Sequence, residues 1–174
     1  MNLMERAKKI KCLLLDVDGT LTEGSVLVTD MKEKNRLFSI KDGLGISLWK
    51  KRGFKIGFIT GDQSESSKER ARMLDVDYEY YGCMDKRVAI KEIIDTSGFT
   101  KEELAFIGDD LIDIPVLRRV GLAIAVKDGA IELESCIHYR TTSPGGKGAV
   151  REVIELILNA KGLWKEIVNE YYSD

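Results

Sequence analysis

Three short apolar runs in this chain end abruptly on acidic residues, and this pattern constrains the fold more than any other feature. Residues 10–15, Ile-Lys-Cys-Leu-Leu-Leu, lead into Asp16-Val17-Asp18-Gly19-Thr20. Lys55-Ile56-Gly57-Phe58-Ile59 leads into Thr60-Gly61-Asp62, and Leu104-Ala105-Phe106-Ile107 into Gly108-Asp109-Asp110. Leu122-Ala123-Ile124-Ala125-Val126 is a fourth run of the same kind. Runs this short and this apolar suit strands buried on both faces. Helical patterns separate them: Lys86, Ala89, Ile90, Ile93 and Ile94 share one face, as do Val150, Val153, Ile154, Ile157 and Leu158. The alternation predicts an α/β fold, a Rossmann-like parallel sheet flanked by helices.

One stretch breaks the alternation. Residues 25–29 and 36–40 read as strands on either side of a polar turn at 30–34, which predicts a β-hairpin inserted after the first strand, at about residues 24–41. The helix around Leu44, Leu48 and Trp49 should end at Lys50-Lys51-Arg52-Gly53, cations in the last turn and then a glycine. A polar-faced helix is expected over 64–74, with Asp62 and Glu65 at the spacing of a capping box. A short helix is expected over 113–119, with Asp113 as its cap.

Length and composition exclude several function classes. A chain of 174 residues without a linker or repeat is expected to form one domain, 1–174. Its formal charge of −2 argues against nucleic-acid binding through a basic face. No apolar run approaches a membrane span, and the start is too polar for a signal peptide. The three cysteines show no paired or ligand spacing, so a reduced, cytoplasmic chain is expected. The single histidine, His138, reads as a surface or hydrogen-bonded residue and removes most Ser-His, Cys-His and zinc chemistry.

In a parallel sheet, ligands bind outside the carboxyl ends of the strands. The runs above deliver Asp16, Asp18, Asp62, Asp109 and Asp110 there. At about 4 Å and an effective dielectric near 20, each like-charge pair costs on the order of 4 kcal/mol. A cation must offset that, and an all-oxygen cluster suits magnesium. Taken singly, each motif is also compatible with an ordinary Asp/Gly turn. Lys86 at the head of a helix opposes the dipole and therefore favours function over structure.

Together, Asp16-Val17-Asp18-Gly19-Thr20, Thr60-Gly61, Lys86 and Gly108-Asp109-Asp110 with Asp113 resemble the four motifs of the haloacid dehalogenase superfamily, in the same order, across about residues 10–160. The resemblance implies Asp16 as the nucleophile that takes the phosphoryl group. Asp18 is then the acid–base residue, and Thr60, Gly61 and Lys86 bind the phosphate. It also implies magnesium on the Asp16 carboxylate, the Asp18 backbone carbonyl and Asp109, with Asp113 in support. A receiver domain of a signalling relay and a non-catalytic scaffold are rival readings. The former carries an adjacent acid pair after its first strand, whereas Asp16 and Asp18 are two apart. The 41 residues at 19–59 and the 25 at 61–85 leave no room for a cap domain. Capless members generally shield their sites by oligomerising.

Phe38, Asp42-Gly43, Gly45-Ile46, Gly108 to Asp113 and Gly145 to Glu152 further resemble the capless, tetrameric branch that dephosphorylates sugar acids of lipopolysaccharide synthesis. That likeness implies a phosphorylated sugar acid as substrate, an eight-carbon 3-deoxy acid ahead of a nine-carbon sialic-type acid, and a homotetramer. Ser39, Lys41, Asp42, Gly43 and Arg70 would line the sugar side. Ser39 stands where the branch usually has Asn, and Asp62 where it usually has Arg; nine-carbon acid phosphatases tend to be acidic there. Lys41 and Arg70 are expected to supply the missing positive charge.

Overall fold

A computed structural model describes residues 1–28 and 34–172. Along the chain its elements are α1 (Leu3–Lys9), β1 (Cys12–Leu15), β2 (Leu27–Val28), β3 (Lys34–Asn35), α2 (Ile40–Lys51), β4 (Lys55–Ile59), α3 (Glu65–Met73), β5 (Tyr78–Tyr80), α4 (Lys86–Ser97), β6 (Leu104–Gly108), α5 (Ile114–Leu117), β7 (Leu122–Ala125), β8 (Tyr139–Arg140), α6 (Ala149–Ala160) and α7 (Trp164–Glu170). Six strands form one sheet in the order β5-β4-β1-β6-β7-β8, and every pairing is parallel. The chain runs outward from β1 through β4 to β5, then returns to β1's other side at β6. The crevice at the end of β1 is therefore the switch point, where α/β sheets bind ligands.

Alternation along β1 shows why its apolar run is needed. Leu13 and Leu15 join the core on the face covered by α2 and α6, beside Trp49, Val153 and Ile157. Cys12 and Leu14 join the core on the opposite face, beside Ile90 and Ile93 of α4 and Val116 of α5. A strand covered on both sides has no polar position to spare. No helix among the described residues is long and apolar enough to cross a membrane.

The hairpin exists but is shorter than expected. Leu27–Val28 pairs antiparallel with Lys34–Asn35, while residues 36–39 carry no strand. Ser39 instead caps α2, its Oγ accepting the Asp42 amide at 3.2 Å, so Ile40 opens a helix rather than closing a strand. Thr29 and positions 30–33 of the expected turn lie outside the described residues. Ser64, not Asp62, caps α3. Asp113 stands at the N-cap position of α5 but makes no side-chain cap hydrogen bond there; Asp110 caps the turn at Leu111–Asp113, and Asp113 is buried. Gly53 at φ 81° ends α2 as expected. His138 Nδ1 accepts the Ala123 amide at 2.9 Å, a structural role. The helices α1 and α7 and strand β8 were not among the elements expected from the sequence; α1 is stabilised by a capping box between Asn2 and Glu5.

Candidate active site

The loop after β1 turns sharply at Gly19, whose φ of 87° is costly for other residues. A Cβ at Gly19 would also stand 2.0 Å from Asp109 Oδ2, so glycine is what lets the loops after β1 and β6 meet. Thr22 braces the turn: its Oγ1 accepts the Gly19 amide at 3.2 Å and the Gly24 amide at 3.3 Å. The Gly145-Gly146 segment packs on its outer side. A Cβ on Gly145 would strike the Gly19 carbonyl, and the Gly146 amide donates to the Thr20 carbonyl at 2.9 Å. That run of glycines is thereby explained as a backbone-to-backbone approach.

Asp16, 6% exposed, leaves the end of β1 with its amide on the Ile107 carbonyl. Lys86, the first residue of α4 and 2% exposed, donates from Nζ to Asp16 Oδ1 and, at 2.7 Å, to Asp113 Oδ1. Asp113 is wholly buried, and its Oδ2 accepts the Asp109 amide at 2.9 Å, fixing the loop that carries Asp109. Gly108 admits this arrangement, since a Cβ there would come 2.2 Å from Asp113 Oδ2. Segments from three parts of the chain thus bring Asp16, Lys86, Asp109 and Asp113 together.

Three carboxylates against one ammonium leave excess negative charge. Burial raises Asp16 well above the ordinary carboxylate range; Lys86 opposes this, while Asp113 and Asp109 add to it. Burial, and then the neighbouring Asp113, push Asp109 up to about 7. Burial would lower Lys86, but Asp16 and Asp113 outweigh it and hold it above its usual value. Asp16, Asp109 and Asp113 each offer an oxygen within 4.8 Å of the others. An all-oxygen donor set with unneutralised charge fits a hard divalent cation such as magnesium. Lys86 and the Asp109 amide already occupy both oxygens of Asp113, which leaves Asp16 and Asp109 as the carboxylates open to an ion.

Thr60 is buried at the end of β4, beside β1, its Oγ1 accepting the Asp62 amide at 3.0 Å. Gly61 follows, and a Cβ there would stand 3.2 Å from Met84 Sδ. Asp18 is not among the acids whose oxygens gather within 4.8 Å, and its side chain pairs with Arg36. Nε meets Asp18 Oδ1 at 2.5 Å and Nη2 meets Oδ2 at 3.1 Å. The same Nη2 stands 2.9 Å from Asp62 Oδ2, which also accepts the Ser64 amide at 2.7 Å. Arg36 is therefore a cation beside Asp62. Nothing local in the sequence singles out Arg36, because a lone arginine after a hairpin strand ordinarily faces water.

The expected sugar-side residues form a second group. Arg70 donates from Nη2 to the Ser39 carbonyl at 2.9 Å and lies over the Phe38 ring, and burial lowers its pKa. Gly43 makes room for it, since a Cβ would come 2.4 Å from Nη2. Lys41 is exposed. Asp42 departs from the expectation: it is 1% exposed, and its carboxylate accepts the Gly148 amide at 3.2 Å and the Arg151 amide at 2.8 Å. It caps α6 from across the fold. Burial raises its pKa against these hydrogen bonds.

This sheet, with acids gathered at its switch point around a buried lysine, defines a haloacid dehalogenase-like hydrolase without a cap domain. Residues 80–154 match the family model of that name. The chain is 39% identical to 3-deoxy-D-manno-octulosonate 8-phosphate phosphatase of Yersinia pestis, over 92% of its length and 86% of that protein. With the enzyme of that name from Escherichia coli K12 it shares 35% identity, over the same fractions. The crystal structure of the Moraxella catarrhalis enzyme in complex with magnesium ion, phosphate ion and a KDO molecule superposes with a TM-score of 0.94. It is 34% identical, covering 97% of each chain. The chain belongs to the 3-deoxy-D-manno-octulosonate 8-phosphate phosphatase family.

Proposed function

We propose that this chain is a magnesium-dependent phosphatase that hydrolyses 3-deoxy-D-manno-octulosonate 8-phosphate to the free sugar acid and inorganic phosphate. The observation that carries this reading is the meeting of Asp16 with Lys86, Asp109 and Asp113 at the switch point. Asp16 attacks phosphorus; its new O–P bond forms as the bond to the sugar oxygen breaks, and Asp18 gives that oxygen a proton. Asp18 then takes a proton from the water that displaces Asp16 from phosphorus. Thr60 and the Gly61 amide hold phosphoryl oxygens, and Lys86 offsets the charge of both phosphate and nucleophile. The Asp16 and Asp109 carboxylates and the Asp18 backbone carbonyl would hold magnesium, with Asp113 fixing Asp109. When bound, the ion neutralises charge on the carboxylates and on the phosphoryl group in transfer.

Ser39, Lys41, Gly43 and Arg70 are assigned to the sugar side, with Lys41 and Arg70 drawing the substrate carboxylate. The acidity of Asp62 is the feature that points to a nine-carbon acid. Its engagement with Arg36 and the Ser64 amide favours the eight-carbon substrate. Residues 1–174 are proposed to act as one catalytic unit, with the hairpin insertion at about 24–41, and to assemble as a homotetramer. Leu37 (89% exposed), Ile40 (87%) and Leu27 (61%) around the hairpin support a subunit contact there. The unpaired Cys12, Cys83 and Cys136 support a reducing, cytoplasmic setting.

The test is phosphate release from 3-deoxy-D-manno-octulosonate 8-phosphate, with magnesium and with chelator, by wild type and Asp16→Asn. Expected are release that needs the ion and its loss in the variant, which keeps its fold. Equal release under chelator, or near-normal turnover by Asp16→Asn, would overturn the mechanism.

A further inference from the structure

We infer that Arg36 is a positioning residue for Asp18, holding the acid–base carboxylate in its working orientation; this rests on the phosphatase reading above. Asp18 sits on the turn after β1 with 35% of its side chain exposed, so nothing in the core fixes its carboxylate. The Arg36 side chain is 2% exposed, and it meets both Asp18 oxygens through Nε and Nη2. Such a fork fixes both the position and the plane of a carboxylate, which a single donor does not. Arg36 is itself anchored. Nη2 also pairs with Asp62, and Asp62 is tied to the Ser64 amide at the cap of α3. A relay of bonds therefore runs from the backbone after β4, through Asp62 and Arg36, to Asp18 after β1.

A carboxylate has about four lone-pair sites, and Arg36 occupies one on each oxygen of Asp18. Another on each oxygen remains for the proton that passes to the sugar oxygen as its bond to phosphorus breaks. Without Arg36 the carboxylate of Asp18 would turn freely, and misplacement by about 1 Å can cost about a hundredfold in rate. The harm falls on whatever step needs the proton. An alkyl phosphate needs its leaving oxygen protonated, whereas p-nitrophenolate leaves as a stable anion.

The experiment measures kcat/KM of the full chain with magnesium on 3-deoxy-D-manno-octulosonate 8-phosphate and on p-nitrophenyl phosphate, for wild type, Arg36→Met and Arg36→Lys. This parameter covers the steps through phosphoryl transfer, so the later hydrolysis of the aspartyl phosphate, common to both esters, drops out. In Arg36→Met the sugar ester should lose at least about tenfold more than the aryl ester, part of the about 10²–10⁴-fold that general acid catalysis contributes. Arg36→Lys, keeping the charge without the fork, should show the same bias to a smaller degree, and it carries the test alone if the Met variant does not fold. Equal losses on the two esters, or no loss on either, would overturn the positioning role and make Arg36 a structural tie of the hairpin. A wild type inactive on both esters would instead overturn the phosphatase reading, and the role of Arg36 with it.

Discussion

Lys86 Nζ stands 2.7 Å from Asp113 Oδ1, and neither side chain is more than 1% exposed. Removing one partner of such a buried pair leaves an uncompensated charge, at about 3–5 kcal/mol. Lys86→Met should therefore lower the unfolding free energy in chelator by about 3 kcal/mol, and magnesium should recover part of the loss. Urea titrations with and without the ion check this. A variant as stable as wild type in chelator would contradict the pairing.

The metal-free protein should lose stability as the pH rises. Asp109 lies near 7 when folded against an ordinary 3.8, and Asp16 is raised as well. Between about pH 4 and 7 the folded state keeps protons that the unfolded chain has released, so stability falls with rising pH. In chelator the melting temperature should drop from pH 5 to pH 7.5, less so in Asp109→Asn. Magnesium should raise it more at the higher pH. An increase over that interval in chelator would refute the assignment.

Asp42→Ala should act on stability rather than on substrate. Its carboxylate caps α6, and such caps are worth about 0.5–2 kcal/mol. The melting temperature should fall while kcat/KM stays within about twofold, since the Asp42 carboxylate meets backbone amides of α6 and not the reacting groups. A tenfold loss of kcat/KM at constant melting temperature would return Asp42 to the substrate side.

Leu37→Glu combined with Ile40→Glu should break the proposed assembly. Both side chains are almost fully exposed, and burying like charges at a contact is unfavourable. Light scattering should report a smaller species than wild type. A wild type that is monomeric and fully active at micromolar concentration would dispose of the tetramer.

The four central strands, and the three acids and the lysine that meet at their ends, were legible in the sequence because their signals are local. Cys12 to Leu15 must be apolar throughout to be covered on both faces, and Asp16 follows because the strand stops there. Gly19 and Gly108 mark the two loops that close on Asp109 and Asp113. Other features depended on partners far along the chain. The Asp42 carboxylate meets amides 106 and 109 residues away, and a substrate contact and a distant helix cap leave the same trace in the sequence. Asp62 had a capping residue's spacing, yet Ser64 is better placed for the amides of α3, and Asp62 turned to Arg36 instead. Periodicity and turn chemistry depend on neighbours within a few residues, so the sequence alone determined the central strands, the breaks after them and the acids at their ends. Which cation each buried acid meets depends on how α2, α3 and the hairpin pack over the sheet, and only the tertiary structure decided it.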